Sequence, residues 1–492
     1  MLKAITEQLV RDTDYPARQF QIKVLNSVLE GELYDHLNVS FHEEKDAADE
    51  YIPLRQRRPS VRYNLSKIIV DDSVSLLFSE GHFPEVECED ETTKEALALL
   101  IKDAKLNVVM IDAATKGSVG SVAVLLRILS NRVFLDVMCT EFLTPCWKAE
   151  EPDVLEMVCE QYKVKGYSLI ELGYKIRPDE KNVDFWWKRE WTDQAEVYYL
   201  PVKVTALKEG TGKWVEDKDR TVNHGFGFVP VVWVKNLPGG KDTEGACTFK
   251  EAIDTQIEIE YLLSQGGRGL KYSSDPTLML KEPAMGEAGR MVKGAGNAIV
   301  VGQEGDAKLL EINGTAAEAV IAYFKALREA AIEACHGNRT SADKISAAQS
   351  GRAMELMNQA LIWLADRLRI TYGEGALLDI LNMVIQARRK FKIVTKKGAE
   401  MPELSTTADL SLRWPDWYAP TFEDKQSQAT ALKTHTEAGH MSTKTATKTI
   451  AATYDIEDAD QESADIETER QARAKEALEL AQSQTKLKGD KE

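Results

Sequence analysis

Two stretches of similar length decide the fold of this chain, residues 248–267 (TFKEAIDTQIEIEYLLSQGG) and 315–337 (TAAEAVIAYFKALREAAIEACHG). In the first, Thr248 and Glu251 have the spacing of a capping box, and Gly266-Gly267 follows the last apolar turn. Apolar residues recur at every fourth position, which keeps them on one helix face; they are Phe249, Ile253, Ile257 and Tyr261. The pattern predicts an amphipathic helix that ends at the glycine pair.

The second stretch has the same design. It opens with Thr315 and Glu318 and stops at His336-Gly337, where glycine suits a C-terminal cap. Its apolar stripe consists of Val320, Phe324, Leu327 and Ala331. In both stretches the opposite face carries carboxylates, so neither helix is expected to be buried on all sides. The pair predicts a wall with one packed face and one face toward water or a channel.

The chain before this pair is predicted to contain helices first and strands later. Helices are expected within residues 1–40, from an Asn64 cap to Ser79, and over Thr93–Thr115. Strands are expected at Val122–Leu129 and Val133–Met138, as a hairpin around Asn131, and at Val197–Thr205 and Phe228–Val234. An aromatic cluster is interpreted as packing on a sheet face, with a ligand platform as the alternative; it comprises Phe185, Trp186, Trp187 and Trp191.

After Gly351 the pattern predicts a long helix, with apolar residues at Met354, Met357, Leu361, Leu364 and Leu368. Gly373 and Gly375 are expected to bend or interrupt this helix before it continues to Arg388. Residues 391–413 are interpreted as strands, and the chain from Asp424 onward as helical.

Composition narrows the function classes. The net charge of −17 over 492 residues argues against an ordinary nucleic-acid-binding protein, which needs a basic surface. No run of about 18 apolar residues exists and the N-terminus is too polar for a secretory signal, so a soluble intracellular protein is expected. The six cysteines form no CxxC pair and are expected to be reduced and mostly buried.

Motifs for catalysis are missing from the sequence. Residues 210–214 (GTGKW) fall short of a Walker A loop, because Trp214 replaces the Ser or Thr that would hold magnesium. Gly294-Ala295-Gly296 lacks the third glycine and the helix of a dinucleotide-binding loop. His435 and His440 are five apart, which is the wrong spacing for two metal ligands on one helix face. The sequence therefore predicts no catalytic residue, no metal site and no cofactor, and the protein is not expected to be an enzyme.

The order of several fragments resembles the portal proteins of tailed bacteriophages, most closely those of long-tailed phages. The fragments are RPSVRYNLSKIIVD at 58–71, SDPTL at 274–278, SGRAM at 350–354, LRWPD at 412–416, PTFED at 420–424 and MSTKTA at 441–446. Each fragment alone is weak, but their order and spacing extend over some four hundred residues.

The resemblance implies an α+β portal fold that assembles as a ring. Its parts would be an α/β wing, a two-helix stem, a small α/β clip and a helical crown. The implied boundaries are 1–247 for the N-terminal region and wing, 248–269 for the first stem helix, 270–314 for the clip, 315–337 for the second stem helix, 338–350 for the tunnel loop, 351–423 for the long helix and the returning wing strands, and 424–492 for the crown and C-terminal tail.

The resemblance also implies two sets of contact residues. Tunnel-loop residues would lie near DNA in the channel, namely Asn338, Arg339, Ser341 and Lys344. Clip residues would contact the packaging motor and later the adaptor, namely Lys271, Lys281, Arg290 and Lys293. The alternative for Arg339 and Lys344 is that they satisfy helix C-terminal carbonyls or pair with Asp343.

The implied function is a ring, twelve copies in the family, at one capsid vertex of the virion. It would nucleate head assembly with major capsid and scaffold proteins in the host cytoplasm, pass double-stranded DNA during packaging and ejection, and dock the terminase large subunit and a head-completion adaptor. An acidic channel wall would let DNA slide, although acidic surfaces also simply keep proteins soluble. No membrane partner is implied. The alternatives are another ring, capsid or baseplate subunit of a phage particle, or a metal-dependent nuclease on an oligomeric scaffold.

Overall fold

The computed structural model describes residues 1–274, 277–283, 301–310, 315–336, 351–418, 421–451, 454, 456 and 458–489. Helices and strands are mixed, which confirms the predicted α+β class. The chain divides into two compact units, Met1–Asn338 with Ala360–Pro415, and Arg339–Gln359 with Asp416–Glu492.

The helices have the following bounds in chain order. They are α1 Leu2–Thr6, α2 Ala17–Leu29, α3 Leu65–Phe78, α4 Glu91–Ala104, α5 Leu106–Gly117, α6 Gly166–Glu171, α7 Val204–Lys208, α8 Ile253–Ser274, α9 Thr315–Ala334, α10 Gly351–Met357, α11 Gln359–Leu368, α12 Leu378–Arg388, α13 Phe422–Glu437, α14 Thr443–Ala451 and α15 Ala459–Gly489. A π-helix, Arg369–Leu377, joins α11 to α12, and a 3-10 turn, Lys250–Ala252, precedes α8.

The strands form one larger sheet and several small ones. They are β1 Val39–Ser40, β2 Arg57–Arg58, β3 Glu85–Cys88, β4 Ser121–Leu129, β5 Arg132–Cys139, β6 Leu143–Trp147, β7 Leu155–Lys165, β8 Asp184–Trp191, β9 Ala195–Tyr198, β10 Val202–Lys203, β11 Val222–Asn223, β12 Val231–Lys235, β13 Thr277–Pro283, β14 Val301–Leu310 and β15 Leu410–Arg413. The larger sheet has the order β11-β9-β8-β7-β6, with β10 also on β8. A three-stranded sheet has the order β12-β4-β5, and the pairs β1-β2, β13-β14 and β15-β3 complete the set.

The predicted hairpin is confirmed as β4 and β5, which pair antiparallel from Val122↔Cys139 to Leu129↔Arg132. Ser130 and Asn131 both have positive φ, as a two-residue hairpin turn requires. The predicted aromatic packing is also confirmed, because all four residues of that cluster are buried. Trp187 and Phe185 lie in one core with Leu169 and Tyr174, whereas Trp191 lies in a second core with β4 residues.

The prediction of one strand over Val197–Thr205 is wrong. Two short strands occur, β9 and β10, and the helix α7 already begins at Val204. Pro201 lies between the two strands, and proline has no N–H to donate to a sheet ladder. The candidate Phe228–Val234 is confirmed in its second half, as β12.

The prediction of one helix over Thr93–Thr115 is also wrong. The chain forms α4 and α5, and Lys105 between them has left-handed backbone angles, φ 51° and ψ 49°. Since one residue in this conformation turns the chain out of the helical path, a new helix must begin at Leu106. By contrast, the Asn64 cap is confirmed, because its side chain accepts a hydrogen bond from the N–H of Lys67 at the start of α3.

The second unit is helical after residue 421, as the sequence predicts. Thr421 and Asp424 form a reciprocal capping box at the start of α13. Lys444 and Lys448 in α14 both pair with Asp460 in α15. The six cysteines are free thiols, as expected, but the prediction that most are buried is wrong. Only Cys335 is buried, and Cys139 is exposed.

Candidate functional site

The two helices of the sequence pattern pack against each other and onto α3. Their shared core includes Leu65 and Ile69 of α3, Ile259 of α8, and Ala331 and Ile332 of α9. The half-buried side chains Phe324 and Leu327 pack against this core, which confirms the apolar stripe predicted for α9. The outer face of α9 is exposed, as expected for a helix with one packed side.

Gly266 does not end α8, so that prediction is wrong. The helix continues to Ser274, and a Cβ atom on Gly266 would lie 2.9 Å from Cγ1 of Val320 in α9. The glycine therefore permits a close approach of two helices. A glycine near the end of an apolar pattern also predicts a helix end, and the sequence alone does not distinguish the two roles. Gly267 has no neighbouring atom within 4 Å of such a Cβ. At the other helix, α9 ends near the predicted place, and His336 has the left-handed φ of 56°.

A buried polar stripe on α8 binds the segment that leads into α3 and the first turn of that helix. Gln256, Glu260 and Ser264 occur one helical turn apart and are each no more than 2% exposed. They accept backbone hydrogen bonds from the segment 61–66, namely Ser66 N–H to Gln256 Oε1 (2.9 Å), Tyr63 N–H to Glu260 Oε1 (3.0 Å) and Val61 N–H to Ser264 Oγ (3.0 Å). Side chains of α8 thus replace the partners that a regular strand or helix would give these N–H groups.

Glu260 is the centre of this stripe. Its Oε2 accepts a hydrogen bond from the Tyr34 hydroxyl at 2.5 Å, and the Gln256 amide donates to Oε1 at 3.4 Å. Burial raises the pKa of Glu260 to about 7, although the donors Tyr34 and Tyr63 and the charge of Arg62 act in the opposite direction. The carboxyl therefore changes its charge near neutral pH. The expectation that α8 is not buried on all sides is confirmed, because Asp254 and Gln265 are exposed. The buried side of the helix nevertheless contains this acid, and its hydrogen bonds compensate for the burial.

A second buried network lies at the base of α8. The Asn236 amide donates to Thr248 Oγ1 (2.9 Å) and to the Ala246 carbonyl (2.7 Å), and the Tyr372 hydroxyl donates to Asn236 Oδ1 (3.0 Å). The predicted Thr248–Glu251 capping box is therefore wrong. The Thr248 hydroxyl oxygen accepts its hydrogen bond from Asn236, and no side chain caps the 3-10 turn that follows. The network joins β12, the chain entering α8 and the π-helix.

The π-helix contains the two glycines that were predicted to interrupt the long helix, and the interruption is confirmed. A Cβ on Gly373 would lie 2.2 Å from Cζ2 of Trp414, so the indole ring occupies the space of a side chain. The Trp414 ring also lies under the Arg369 guanidinium, at 4.6 Å. Gly375 is less restricted, since its nearest neighbour would be the Ile370 carbonyl at 3.6 Å. Gly373 is thus required by packing, and Gly375 is not.

Comparison with protein-family models identifies one match, described as "Phage portal protein, SPP1 Gp6-like", which covers residues 13–476. The chain belongs to this portal family. No curated protein matches it. The portal family is structural and non-enzymatic, and its members are oligomeric, reside in the capsid of the virion and associate with the packaging machinery.

Most contact residues expected from the portal resemblance lie outside the described residues: Arg290, Lys293, Asn338, Arg339, Ser341 and Lys344. Lys271 is exposed in the last turns of α8. Lys281 belongs to β13, where its backbone pairs with Asp306 of β14.

Sequence reasoning missed the buried polar residues of this portal subunit: Asn236, Gln256, Glu260 and Tyr372. One signal was present for α8. Ile259 lies on the side of the helix opposite to Ile257, and a helix with isoleucine on two opposite sides is packed on both. Asn236 and Tyr372 are hydrogen-bonded to each other but lie 136 residues apart in the sequence, and no local pattern connects them.

The portal subunit offers no metal-binding cluster of His, Cys, Asp or Glu within its described residues. The loop after α7, which resembles part of a Walker A sequence, is a turn with Gly210 at φ 69°. Trp214 in that loop packs against Tyr199, with the ring centroids 6.0 Å apart. Among the helices that the structure describes, none is long and apolar enough to cross a membrane.

Proposed function

We propose that this chain forms a twelve-membered ring at one capsid vertex and acts as the conduit for double-stranded DNA during packaging and ejection. The match to the portal family over residues 13–476 carries this proposal. The antiparallel pair α8 and α9 supports it, because one face of α9 is packed in the subunit and the other is exposed. Closed rings need such free surfaces on both flanks of every subunit.

Within this proposal, each segment takes the part of a portal subunit. The wing consists of 1–247 and 351–423, and the stem consists of 248–269 and 315–337. Residues 270–314 are the clip, 338–350 the tunnel loop, and 424–492 the crown with the C-terminal tail. The pairing of β13 with β14 between the two long helices supports the clip assignment.

Each proposed partner binds a particular segment of the subunit. The clip, with Lys271, Lys281, Arg290 and Lys293, docks the terminase large subunit during packaging and the head-completion adaptor afterwards. The tunnel loop, with Asn338, Arg339, Ser341 and Lys344, lies along DNA in the channel. Weak and salt-sensitive contacts there centre the duplex without holding it, and the overall negative charge keeps the wall from gripping DNA.

The ring also nucleates head assembly in the host cytoplasm, together with scaffold and major capsid proteins. A capsid or baseplate subunit would form a lattice or a differently shaped ring. A nuclease would need a carboxylate cluster that holds a divalent cation, and the described residues contain none. No observation favours either alternative.

Electron microscopy of the purified full chain with rotational averaging tests the proposal. We expect rings with an axial channel about 20 Å wide or more, because a DNA duplex must pass. The rotational symmetry gives the copy number. A lattice, or a compact particle without a channel at high protein concentration, would overturn the proposal.

A further inference from the structure

A hairpin in the first unit carries two neighbouring lysines at its tip. It spans residues 393–401, with a bridge between Val394 and Glu400 and a turn that includes Gly398 at φ 82°. Its two ends, Ile393 and Met401, are 1% and 3% exposed and anchor it in the core. Lys396 and Lys397 next to the turn are exposed.

Two other chain segments bring cations to the same place. The hairpin backbone is held by Asn131, whose carbonyl accepts from Val394 N–H (2.8 Å), and by Asp103, whose Oδ2 accepts from Lys396 N–H (2.8 Å). A small cavity is lined in common by Asp103, Arg132 and Lys396. Two exposed lysines, Lys102 and Lys105, flank Asp103 at the junction of α4 and α5. We define the basic patch as Lys102, Lys105, Arg132, Lys396 and Lys397.

The patch is positive on a chain whose net charge is −17. Asp103, a carboxylate within the same surface, accepts the Lys396 N–H, and the hairpin carboxylate Glu400 is paired with Arg388 and Lys392 outside the patch. None of the five patch cations forms an ion pair with a described residue, and Arg132 instead stacks on the Phe134 ring at 5.4 Å. Clustered unpaired cations repel one another, so an anionic partner would stabilise this surface.

We propose that the basic patch binds the phosphate backbone of duplex nucleic acid. Four of its five cations are lysines, which protein–protein interfaces use sparingly. Phosphate contacts, in contrast, come mainly from exposed Lys and Arg and need no apolar centre. The patch lies on folded backbone, namely a helix junction, a strand and an anchored hairpin, so binding requires ordering of side chains but not of the chain that carries them. Its binding is independent of base sequence and strongly dependent on salt.

The proposed function places DNA along the tunnel loop, 338–350, whereas the patch belongs to other segments of the chain, so the probe is chosen to report contacts outside a closed ring. A covalently closed duplex minicircle cannot thread through a closed ring, so it reports contacts on the outside. The measurement is fluorescence anisotropy of a labelled minicircle, titrated with the full chain at several salt concentrations. The test variant is K396E/K397E. The control variant is K213E/K218E, which makes the same charge change at two exposed lysines elsewhere.

We expect the unmodified chain to bind the minicircle with a negative slope against the logarithm of salt concentration. The K396E/K397E variant should lose about tenfold or more in affinity at low salt, with a slope smaller by about two, since two phosphate contacts disappear. The control should stay within about twofold. A second variant, K102E, should weaken binding in the same direction, and circular dichroism verifies that each variant is folded.

Three outcomes would overturn the proposal. The first is that the unmodified chain binds no minicircle at low salt. The second is that the test and control variants lose affinity equally, which would show that only the total charge of the chain matters. Tighter binding of poly-glutamate than of the minicircle, abolished by K396E/K397E, would assign the patch to an acidic protein partner. Rings without minicircle binding would leave the conduit proposal intact, and binding without rings would leave the patch proposal intact.

Discussion

The helices α8 and α9 are neighbours of similar length, yet different forces hold them. The middle of α8 is buried on nearly all sides, and its polar residues bond to backbone groups of the segment 61–66. In contrast, α9 packs one apolar face and exposes the other, including Ile321, Tyr323 and Ala326. Two sequences that look alike as amphipathic patterns thus give one helix fixed inside the subunit and one that presents a surface.

The two helices therefore differ in what they require of their neighbours. A buried hydrogen-bonded side chain requires one particular partner in one position, so α8 fixes the register between the N-terminal segment and the helix. The exposed face of α9 combines alanines and apolar residues with charged ones such as Glu318 and Lys325. It imposes no such requirement and remains available to another molecule. Mutations in α8 should therefore affect the stability of the subunit, and mutations on the outer face of α9 should affect assembly.

The largest expected effect is that of Glu260→Ala. Removal of the carboxylate leaves the Tyr34 hydroxyl and the Tyr63 N–H buried without their acceptor, which should destabilise the subunit by about 3 kcal/mol. Native-state hydrogen exchange in α8 measures the change. Glu258→Ala, two residues away on a half-exposed position, is the control and should change stability by less than about 0.5 kcal/mol. Equal effects of the two substitutions would contradict the conclusion that buried hydrogen bonds of Glu260 hold α8 in place, and with it the contrast to α9.

The pH dependence of stability should reveal the same carboxyl. Its pKa in the folded chain is about 7, above the ordinary value of 4.5, so the protonated form favours folding. The stabilisation is fully present below pH 4.5 and is lost as the pH rises through 7, a total of about 3 kcal/mol. Urea unfolding between pH 5 and 8 tests this. Glu260→Gln cannot ionise and should lose this part of the pH dependence; an unchanged profile would contradict the role of Glu260.

A smaller effect is expected at the contact between the two helices. Gly266→Ala should destabilise by about 1–2 kcal/mol, because the new methyl group meets Val320 at 2.9 Å. Gly267→Ala should stabilise by about 0.5–1 kcal/mol, since its site is open and alanine favours a helix. Thermal unfolding of both variants gives the sign. Val320→Ala combined with Gly266→Ala should recover part of the loss, and failure to recover any would argue against this contact.

The smallest effect on stability is expected on the outer face of α9. Ala326→Glu should change the unfolding free energy of the subunit by no more than about 0.5 kcal/mol, because the side chain is exposed. If α9 meets a neighbouring copy, as the proposed ring suggests, the same variant should shift the oligomer toward monomers in analytical ultracentrifugation. Unchanged oligomers would place the subunit contact elsewhere.

Local signals were sufficient for elements whose cause is local. The Asn64 cap, the β4–β5 hairpin at Ser130-Asn131 and the stripe of α9 were predictable, since each depends on residues a few positions apart. The interruption at Gly373 was predictable from the low helix propensity of glycine, although the Trp414 contact that requires this glycine was not. The left-handed Lys105, which divides α4 from α5, had no such signal, because lysine is not typical of that conformation. The predicted contact residues of the tunnel loop remain predictions.

The sequence by itself determined the α+β class, the two long helices and the membership in the portal family, because periodicity and fragment order are properties of the chain alone. Only the tertiary structure decided what Gly266, Thr248 and Glu260 do. A glycine ends a helix or admits a neighbour, and a carboxylate faces water or replaces a backbone partner, depending on what packs beside it. The same holds for the basic patch, whose five cations come from three segments that converge only in the folded chain.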